Sequence, residues 1–228
     1  MIITIDGPVA SGKSSVAKAL AKKLGFYYLY TGLLYRAVAY VLINVKKILS
    51  HDFTDDDVKQ VTDFSWIKDI TYSYHDDRPH VFYQGQEITQ HLSAVDIEQV
   101  ASRISAHSNV RQALLELQRT IANDHNLIAD GRDCGTVVFP DADLKFFLTA
   151  DVDVRAQRLL NDQSRGAGSK TLEEICASIE ERDRRDQTRS IAPLKVPVDA
   201  VIVDSSHFTF DQSVATFLQI ITQQLMPS

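Results

Sequence analysis

Residues 7–14 of this chain read Gly7-Pro8-Val9-Ala10-Ser11-Gly12-Lys13-Ser14. Their spacing matches G-x-x-x-x-G-K-[ST], the motif of a loop whose backbone N–H groups surround the phosphates of a nucleotide. Lys13 would place its charge on the outer phosphates, and the Ser14 hydroxyl is suited to bind Mg²⁺. The sequence therefore predicts a site for a nucleoside triphosphate, formed by residues 7–14 and the adjacent Ser15.

The segments on either side of this loop support the prediction. Residues 2–5 form an apolar run that is typical of a buried strand. After the loop, Val16, Leu20 and Leu24 recur at helical spacing, and Gly25 is a typical helix stop. An ordinary glycine-rich turn is the alternative, but the strand–loop–helix context favours a phosphate loop.

The composition is that of a globular chain, with 228 residues, 44% of them hydrophobic and 24% charged, and a net charge of −6. A negative chain has no overall attraction for nucleic acid or for an anionic membrane, so we expect neither as a partner. Two cysteines are too few for a disulfide framework. No apolar run approaches the length that a helix needs to span a bilayer. We expect no signal peptide before the first strand and a cytoplasmic location. The seven histidines and two cysteines show no metal-ligand spacing.

Beyond the loop, apolar runs alternate with helical segments, which favours an α/β fold of the P-loop NTPase type. We expect a five-stranded parallel sheet flanked by helices on both faces. The predicted strands are residues 2–5, 26–30, 127–129, 144–149 and 200–203. The predicted helices after the first lie at 33–42, within 52–64, at 93–105, from 109, at 153–160, from 171 and at 211–225, with Thr54, Ser93, Asn109 and Thr171 as N-caps. Residues 70–88 alternate and turn like a small antiparallel sheet inserted into this pattern.

The second strong signal is an arginine-rich segment at residues 181–189. It ends a helix that follows residues 164–170, a glycine-rich and basic stretch typical of a mobile loop. The ordinary interpretation of such a charge run is a solvated helix face with ion pairs. In a chain with a triphosphate site, we favour arginines that neutralise a transferring phosphoryl group.

A third group of polar residues, Asp130-Gly131-Arg132-Asp133, directly follows a buried strand. Ligands bind at this end of the strands in open α/β sheets, although a turn rich in Asp and Gly is the alternative. We expect Asp130 to hold Mg²⁺ opposite Ser14 and Arg132 to face a phosphate. Arg36, one turn into a predicted helix, could be a surface residue, but a second phosphate site explains it better.

These motifs resemble those of the bacterial cytidylate kinases, which have the nucleoside-monophosphate kinase fold, and the resemblance covers nearly the whole chain. The matching segments are Ile5–Pro8 with Ser11–Ser14, Thr31-Gly32 with Tyr35-Arg36, Asp130–Pro140, Glu181-Arg182-Asp183 with Arg185-Asp186, Ala192-Pro193-Leu194 and the insertion at 70–88.

The resemblance implies an ATP-dependent phosphotransferase that converts CMP, and also dCMP, to the diphosphate with Mg²⁺, and it suggests a monomer. It implies a core at about 1–30, 106–160 and 190–228, a monophosphate-binding region with the inserted sheet at about 31–105, and a mobile lid at about 161–189. The implied catalytic residues are Lys13, Arg36, Arg132, Arg182 and Arg189. The implied contacts to CMP are Thr31, Arg36, Ser102, Arg111, Arg132, Asp133, Arg182, Asp186 and Arg189.

Two positions depart from the family pattern. Tyr30 stands where the family usually has Asp, so any hydrogen bond that this carboxylate would accept is missing, and Cys134 stands where many relatives have Met. A carboxylate such as Asp133 can accept a hydrogen bond from the N4 amine of cytosine and would face an acceptor in uracil. The alternatives are a kinase for AMP, UMP or a small alcohol, and a nucleotide-dependent switch without small-molecule turnover.

Overall fold

The computed structural model describes residues 1–49, 52–161 and 171–225. These residues belong to two compact units, one of Met1–Tyr28 with Asn126–Ser228 and one of Leu29–His125. The strands of the described chain are β1 (Ile2–Asp6), β2 (Tyr27–Tyr30), β3 (Ile70–His75), β4 (Arg78–Tyr83), β5 (Gln86–Glu87), β6 (Leu127–Gly131), β7 (Leu144–Thr149) and β8 (Val201–Asp204). Its α-helices are α1 (Lys13–Leu24), α2 (Thr31–Tyr40), α3 (Asp55–Gln60), α4 (Val95–Ile104), α5 (Ser108–Ala122), α6 (Val152–Asn161), α7 (Leu172–Thr188) and α8 (Phe210–Leu225).

The larger sheet is five-stranded and parallel, with the order β2-β6-β1-β7-β8, which confirms the predicted fold class. Its central strand β1 is apolar along almost its whole length because both of its faces are covered, as in other parallel sheets. Ile3 and Ile5 of this strand are fully buried. Ile5 pairs with Asp130 of β6 on one side and with Phe146 of β7 on the other. The carboxyl ends of β1 and β6 therefore lie side by side, and Asp6 and Asp130 lie at this edge.

The second unit contains the predicted antiparallel insertion, a three-stranded sheet with the order β3-β4-β5. Tyr72 of β3 pairs with Val81 of β4, and both side chains are buried. Trp66 packs edge-on against Tyr83 with ring centroids 6.2 Å apart, so it belongs to the packing of this sheet. Helix α5 also belongs to the second unit. The predicted functional division into core, monophosphate-binding region and lid stays a prediction.

Two of the four predicted helix caps are confirmed and two are wrong. Thr54 and Thr171 both form complete capping boxes, in which the side chains of Asp57 and Glu174 accept from the backbone N–H groups of the two threonines. Helix α4 instead has Ala94 as its N-cap residue, and α5 has His107, and neither N-cap side chain makes a capping hydrogen bond. The apparent cap Asn109 lies inside α5, and its amide donates to the carbonyl of Val61 at 3.0 Å. A tertiary contact thus occupies the side chain that the local pattern assigned to a cap.

Helix α2 begins two residues earlier than predicted, so Thr31 and Gly32 lie in its first turn. A Cβ atom at Gly32 would lie 2.9 Å from the ring of Tyr30, which explains why a glycine is accepted in a helix here. The predicted mobile loop at 164–170 lies outside the described residues. Within the described ranges, no helix combines the length and the apolar character that crossing a membrane requires.

Candidate active site

The phosphate loop joins β1 to α1 and has the conformation that its glycines permit. A Cβ atom at Gly7 would lie 2.1 Å from the backbone carbonyl oxygen of Leu148, so no larger residue fits there. Gly12 precedes α1 with a φ of 90°, a left-handed conformation that costs glycine little. Ala10 also has a left-handed φ, at 59°, which is costly for a residue with a Cβ atom. The loop is therefore a strained turn that its surroundings hold in place.

Lys13 is buried in the first turn of α1, and its ammonium group lies back across the loop. Its Nζ donates to the carbonyl of Pro8 at 2.9 Å, and the residue is only 6% exposed. Burial lowers the pKa of Lys13 well below its usual range, and the neighbouring Arg132 charge lowers it further, against the opposing effect of Asp130. The loop thus holds a buried amine, and phosphate oxygens bound beside it would favour its charged form. Ser15, the last predicted residue of this site, is exposed.

Ser14 and Asp130 lie together, as the sequence predicted for a Mg²⁺ site. The Ser14 hydroxyl donates to Oδ2 of Asp130 at 2.5 Å, and the Tyr28 hydroxyl donates to Oδ1 at 3.0 Å. A hydroxyl and a carboxylate are hard oxygen ligands of the kind that Mg²⁺ prefers, and Mg²⁺ commonly takes its other ligands from phosphates and water. Among the described residues no three His, Cys, Asp or Glu side chains cluster as a metal site. The oxygen chemistry of Ser14 and Asp130 fits a Mg²⁺ ion that arrives with a nucleotide.

Asp6, at the end of β1, orders the segment that carries Arg132 and Asp133. Its two carboxylate oxygens accept the backbone N–H groups of Cys134 at 2.8 Å and Gly135 at 2.7 Å. Asp6 is fully buried, and this burial raises its pKa to about 6 against the effect of these two hydrogen bonds. The sequence reasoning assigned no role to Asp6; its place at the end of a buried strand is the signal that was available.

The arginine-rich end of α7 divides into a buried and an exposed face. On the buried face, Arg132 Nε donates to Asp186 Oδ2 at 2.7 Å, and Arg189 Nη2 lies 3.4 Å from Asp133 Oδ1. Arg189 Nη1 also lies 3.9 Å from Asp186 Oδ1, and the side chains of all four residues are mostly buried. Burial opposes the charge of Asp186, yet Arg132 and Arg189 hold the pKa of its carboxyl below the usual value. Four of the predicted substrate contacts therefore form one charged network in the first unit.

The exposed face of α7 has the ion pairs that the ordinary interpretation expected. Arg184 Nη2 pairs with Glu181 Oε2 at 2.8 Å, with both side chains more than half exposed. Arg182, by contrast, is half-buried, and its charge lowers the pKa of both Lys13 and Asp186. The ordinary interpretation therefore applies to the exposed side of the helix, and a role of the other arginines in phosphoryl transfer stays a prediction.

The other predicted substrate contacts lie in the second unit, on α2, α4 and α5. Arg36 pairs with Glu98 at 3.1 Å and donates to the carbonyl of Leu92 at 3.4 Å. Its guanidinium also lies 5.8 Å from the ring centre of Tyr30, the residue that replaces the expected Asp.

Arg111 donates to the carbonyl of Ser105 at 2.9 Å and lies over the Tyr35 ring. Thr31 is buried at the start of α2, and Ser102 is half-buried on α4. The substrate roles of these four residues stay predictions.

Sequence reasoning also missed a buried ion pair beside the phosphate loop. Arg155 of α6 and Asp183 of α7 contact each other, and both also contact the backbone of Val9. Asp183 was part of a quoted motif without an assigned role. For Arg155 the only local signal was an arginine on the apolar side of a short helix.

Comparison with known proteins gives concordant matches. A family model described as cytidylate kinase matches residues 3–223. The chain is 41% identical over 217 residues to the cytidylate kinase of Bordetella bronchiseptica, covering 95% of this chain and 93% of that protein. It is 37% identical over 224 residues to the cytidylate kinase of Aeromonas salmonicida, covering 98% of this chain and 95% of that protein. A solved structure of an uncharacterised protein from Eubacterium ventriosum is similar with a TM-score of 0.54 over 97% of this chain and 98% of that chain, and at 13% identity it shows the fold alone.

Proposed function

Because the chain belongs to the cytidylate kinase family, we propose that it transfers the γ-phosphoryl group of ATP to CMP, and also to dCMP. The products are ADP and CDP or dCDP. The observation that carries the proposal is the buried Lys13 of the phosphate loop in the same unit as the network of Arg132, Asp133, Asp186 and Arg189. A phosphate loop explains binding of ATP, and the arginine network gives a reason for phosphoryl transfer.

The acceptor needs no general base. A phosphate monoester has a second pKa near 6, so the phosphate of CMP is mostly dianionic at neutral pH and attacks as it is. Two anions must nevertheless approach each other, and their repulsion has to be cancelled. Catalysis by this chain is then a matter of positioning and of charge neutralisation.

The donor side of the reaction is assigned to the phosphate loop. The backbone N–H groups of residues 7–14 and the Lys13 ammonium hold the outer phosphates of ATP. Ser14 and Asp130 would hold Mg²⁺, which when bound neutralises phosphate charge. Because Tyr28 donates to the second oxygen of Asp130, it fixes the orientation of this carboxylate.

The residues of the acceptor side are those that the family resemblance implies. Arg36 and Arg132 orient the phosphate of CMP, while Arg182 and Arg189 bind the transferring group or the nucleotide beside it. These arginines suit the task because their planar forks match phosphate oxygens. The remaining assigned contacts to CMP are Thr31, Ser102, Arg111, Asp133 and Asp186.

Selection of cytosine is assigned to Asp133. Its carboxylate would accept from the N4 amine of cytosine, whereas uracil would set an acceptor oxygen against it. Such a mismatch at a buried charge costs several kcal/mol, on the order of hundreds-fold in kcat/KM. Asp133 is 6% exposed, so the cost of an unmatched charge would not be relieved by water.

The test is a panel of nucleoside monophosphates with Mg-ATP, read by release of ADP and identification of the diphosphate. We expect CMP and dCMP to be the preferred acceptors and Lys13→Ala to lose turnover on the order of a hundredfold or more. Preference for AMP, UMP or a non-nucleotide alcohol would replace the proposal with a related kinase. Slow ATP hydrolysis that no acceptor accelerates would favour a nucleotide-dependent switch.

A lid that excludes water is part of the same proposal. Water competes with CMP for the phosphoryl group, so we expect the loop at residues 164–170, which lies outside the described residues, to close over ATP only when both nucleotides are bound. ATP hydrolysis without CMP should be far slower than CMP phosphorylation, and equal rates would refute induced closure. We also propose that the protein acts as a monomer in the cytoplasm, which size-exclusion chromatography at working concentration tests for the oligomeric state.

A further inference from the structure

Both backbone polar groups of Val9, in the middle of the phosphate loop, are bound by one buried ion pair. The N–H of Val9 donates to Oδ1 of Asp183 at 3.1 Å, and its carbonyl accepts from Nη1 of Arg155 at 3.0 Å. Arg155 Nη1 also pairs with Asp183 Oδ2 at 2.5 Å, and Arg155 Nε donates to the carbonyl of Ala150 at 2.9 Å. Arg155 and Asp183 are each only 8% exposed. We call this arrangement the Val9 clamp.

The Val9 clamp lies next to the strained part of the phosphate loop. The next residue, Ala10, has a φ of 59°, a left-handed conformation that is costly for a residue with a Cβ atom. The side chain of Val9 is also fixed, since it packs in a buried cluster with Ala156 of α6 and with Ile175 and Ile179 of α7. Side chain and backbone of Val9 are therefore both held by the same two helices.

The clamp also joins the loop to the helix that carries the arginine network. Asp183 directly follows Arg182 and precedes Asp186 by one turn of α7. Because Asp186 binds Arg132 at 2.7 Å, one face of this helix contacts both the phosphate loop and the assigned acceptor site. A change in the position of α7 relative to Val9 would move the cations relative to the phosphates of ATP.

We propose that Arg155 and Asp183 are positioning residues for phosphoryl transfer, which hold the phosphate loop in its nucleotide-binding shape and align α7 with it. The inference rests on the proposed function. Charge-assisted hydrogen bonds suit this role because they are short and directional. Misplacement of a reacting group by about 1 Å costs on the order of a hundredfold in rate, so a clamp of this kind has a large effect without touching substrate.

The experiment compares Arg155→Lys and Asp183→Asn with the full-length wild type. Arg155→Lys keeps the charge but loses the fork that reaches Val9, Asp183 and Ala150 together. The matched controls are Arg184→Lys and Glu181→Gln, which alter the exposed ion pair of the same helix. The readouts are the Kd of a fluorescent ATP analogue without CMP, steady-state kcat, the KM values of ATP and CMP, and thermal unfolding.

We expect the clamp variants to bind the ATP analogue about tenfold more weakly and to lose about ten- to a hundredfold in kcat. The KM of CMP should change less than about threefold, because the ion pair between Arg132 and Asp186 is retained in these variants. A merely structural role would lower the unfolding temperature and leave the Kd and kcat of the folded protein unchanged, which would overturn the inference. The controls should match wild type in every kinetic readout.

A further variant keeps the test decisive if a single substitution prevents folding. Arg155→Met with Asp183→Leu removes both charges, so no unpaired charge is buried, while the polar groups of Val9 still lose their partners. Wild-type affinity for the ATP analogue in this variant would overturn the inference. If the proposed function is wrong, wild type binds the ATP analogue but does not phosphorylate CMP. The comparison of ATP-analogue affinities between wild type and the clamp variants still tests the clamp in that case.

Discussion

Asp6 provides a test of which physical effect controls a buried carboxylate next to the site. The carboxylate is fully buried, which opposes its ionisation, and it accepts two backbone N–H groups, which favour ionisation. Burial wins and raises the pKa of Asp6 from 3.8 to about 6. Between these two values the folded state binds more protons at this position than the unfolded state does. The stability contributed by this position is therefore fully present at pH values below 3.8 and is lost as the pH rises through about 6.

The expected size follows from the two pKa values. At about 1.4 kcal/mol per unit of pKa, the difference between 3.8 and about 6 corresponds to about 3 kcal/mol of unfolding free energy over the whole range. Only part of this falls in a convenient window. Between about pH 5 and about pH 7, the same linkage relation removes about 1 kcal/mol from wild type. Asp6→Asn does not titrate at this position, so it should not lose that energy.

The measurement is urea denaturation of wild type and Asp6→Asn at both pH values, followed by far-ultraviolet circular dichroism. Other groups titrate alike in both proteins, so the quantity of interest is the change in their difference with pH. The Asn side chain can accept from only one of the backbone N–H groups of Cys134 and Gly135, which lowers the unfolding free energy of the variant. This loss is the same at both pH values, so it cancels when the two differences are compared. Asp143→Asn, at an exposed carboxylate that accepts the N–H of Ile2, is the control for loss of such a group.

A difference that is independent of pH, or that changes with the opposite sign, would refute the reasoning about Asp6. The opposite sign would mean that the two backbone hydrogen bonds outweigh the cost of burial.

Three further predictions concern the loop and the charged network. Gly7→Ala should lower the unfolding free energy by about 2 kcal/mol or more and weaken ATP binding, because its Cβ atom would lie 2.1 Å from the Leu148 carbonyl oxygen. Asp186→Asn should cost about 3 kcal/mol in urea denaturation and raise the KM of CMP, because it leaves Arg132 largely buried without its carboxylate partner. Asp133→Asn should reduce the preference for CMP over UMP in kcat/KM by about a hundredfold.

Each of these has its own control and contradicting result. Gly85→Ala introduces a Cβ atom with no neighbour within 4 Å at a φ of 77°, so it measures backbone strain without a clash. If it costs as much as Gly7→Ala, the clash explanation is wrong. Glu181→Gln alters an exposed ion pair and should lower the unfolding free energy by no more than about 1 kcal/mol. If Asp186→Asn lowers it by no more than this control does, burial of the network does not strengthen the ion pair. An unchanged CMP/UMP ratio in Asp133→Asn would remove Asp133 from base selection.

Local sequence was enough to identify the phosphate loop, the order of strands and helices, and two of the capping boxes. Each of these depends on residues that are close together in the sequence, such as Gly7 and Gly12 with Lys13, or Thr171 with Glu174. The geometry of a loop or a helix end restricts which residues are accepted there, so the amino-acid sequence alone shows the pattern. The resemblance to a family added residue roles that no local pattern supplies.

Contacts between distant segments decided the rest. Asp183 meets Val9 across 174 residues of chain, and Asp6 meets Gly135 across 129. Periodicity shows that a helix has a buried face, but it does not show which polar group that face will meet. The division of the arginine-rich segment into exposed pairs and a buried network arises only when α7 packs against the loop, because burial determines whether a charge is screened by water or bound by a partner.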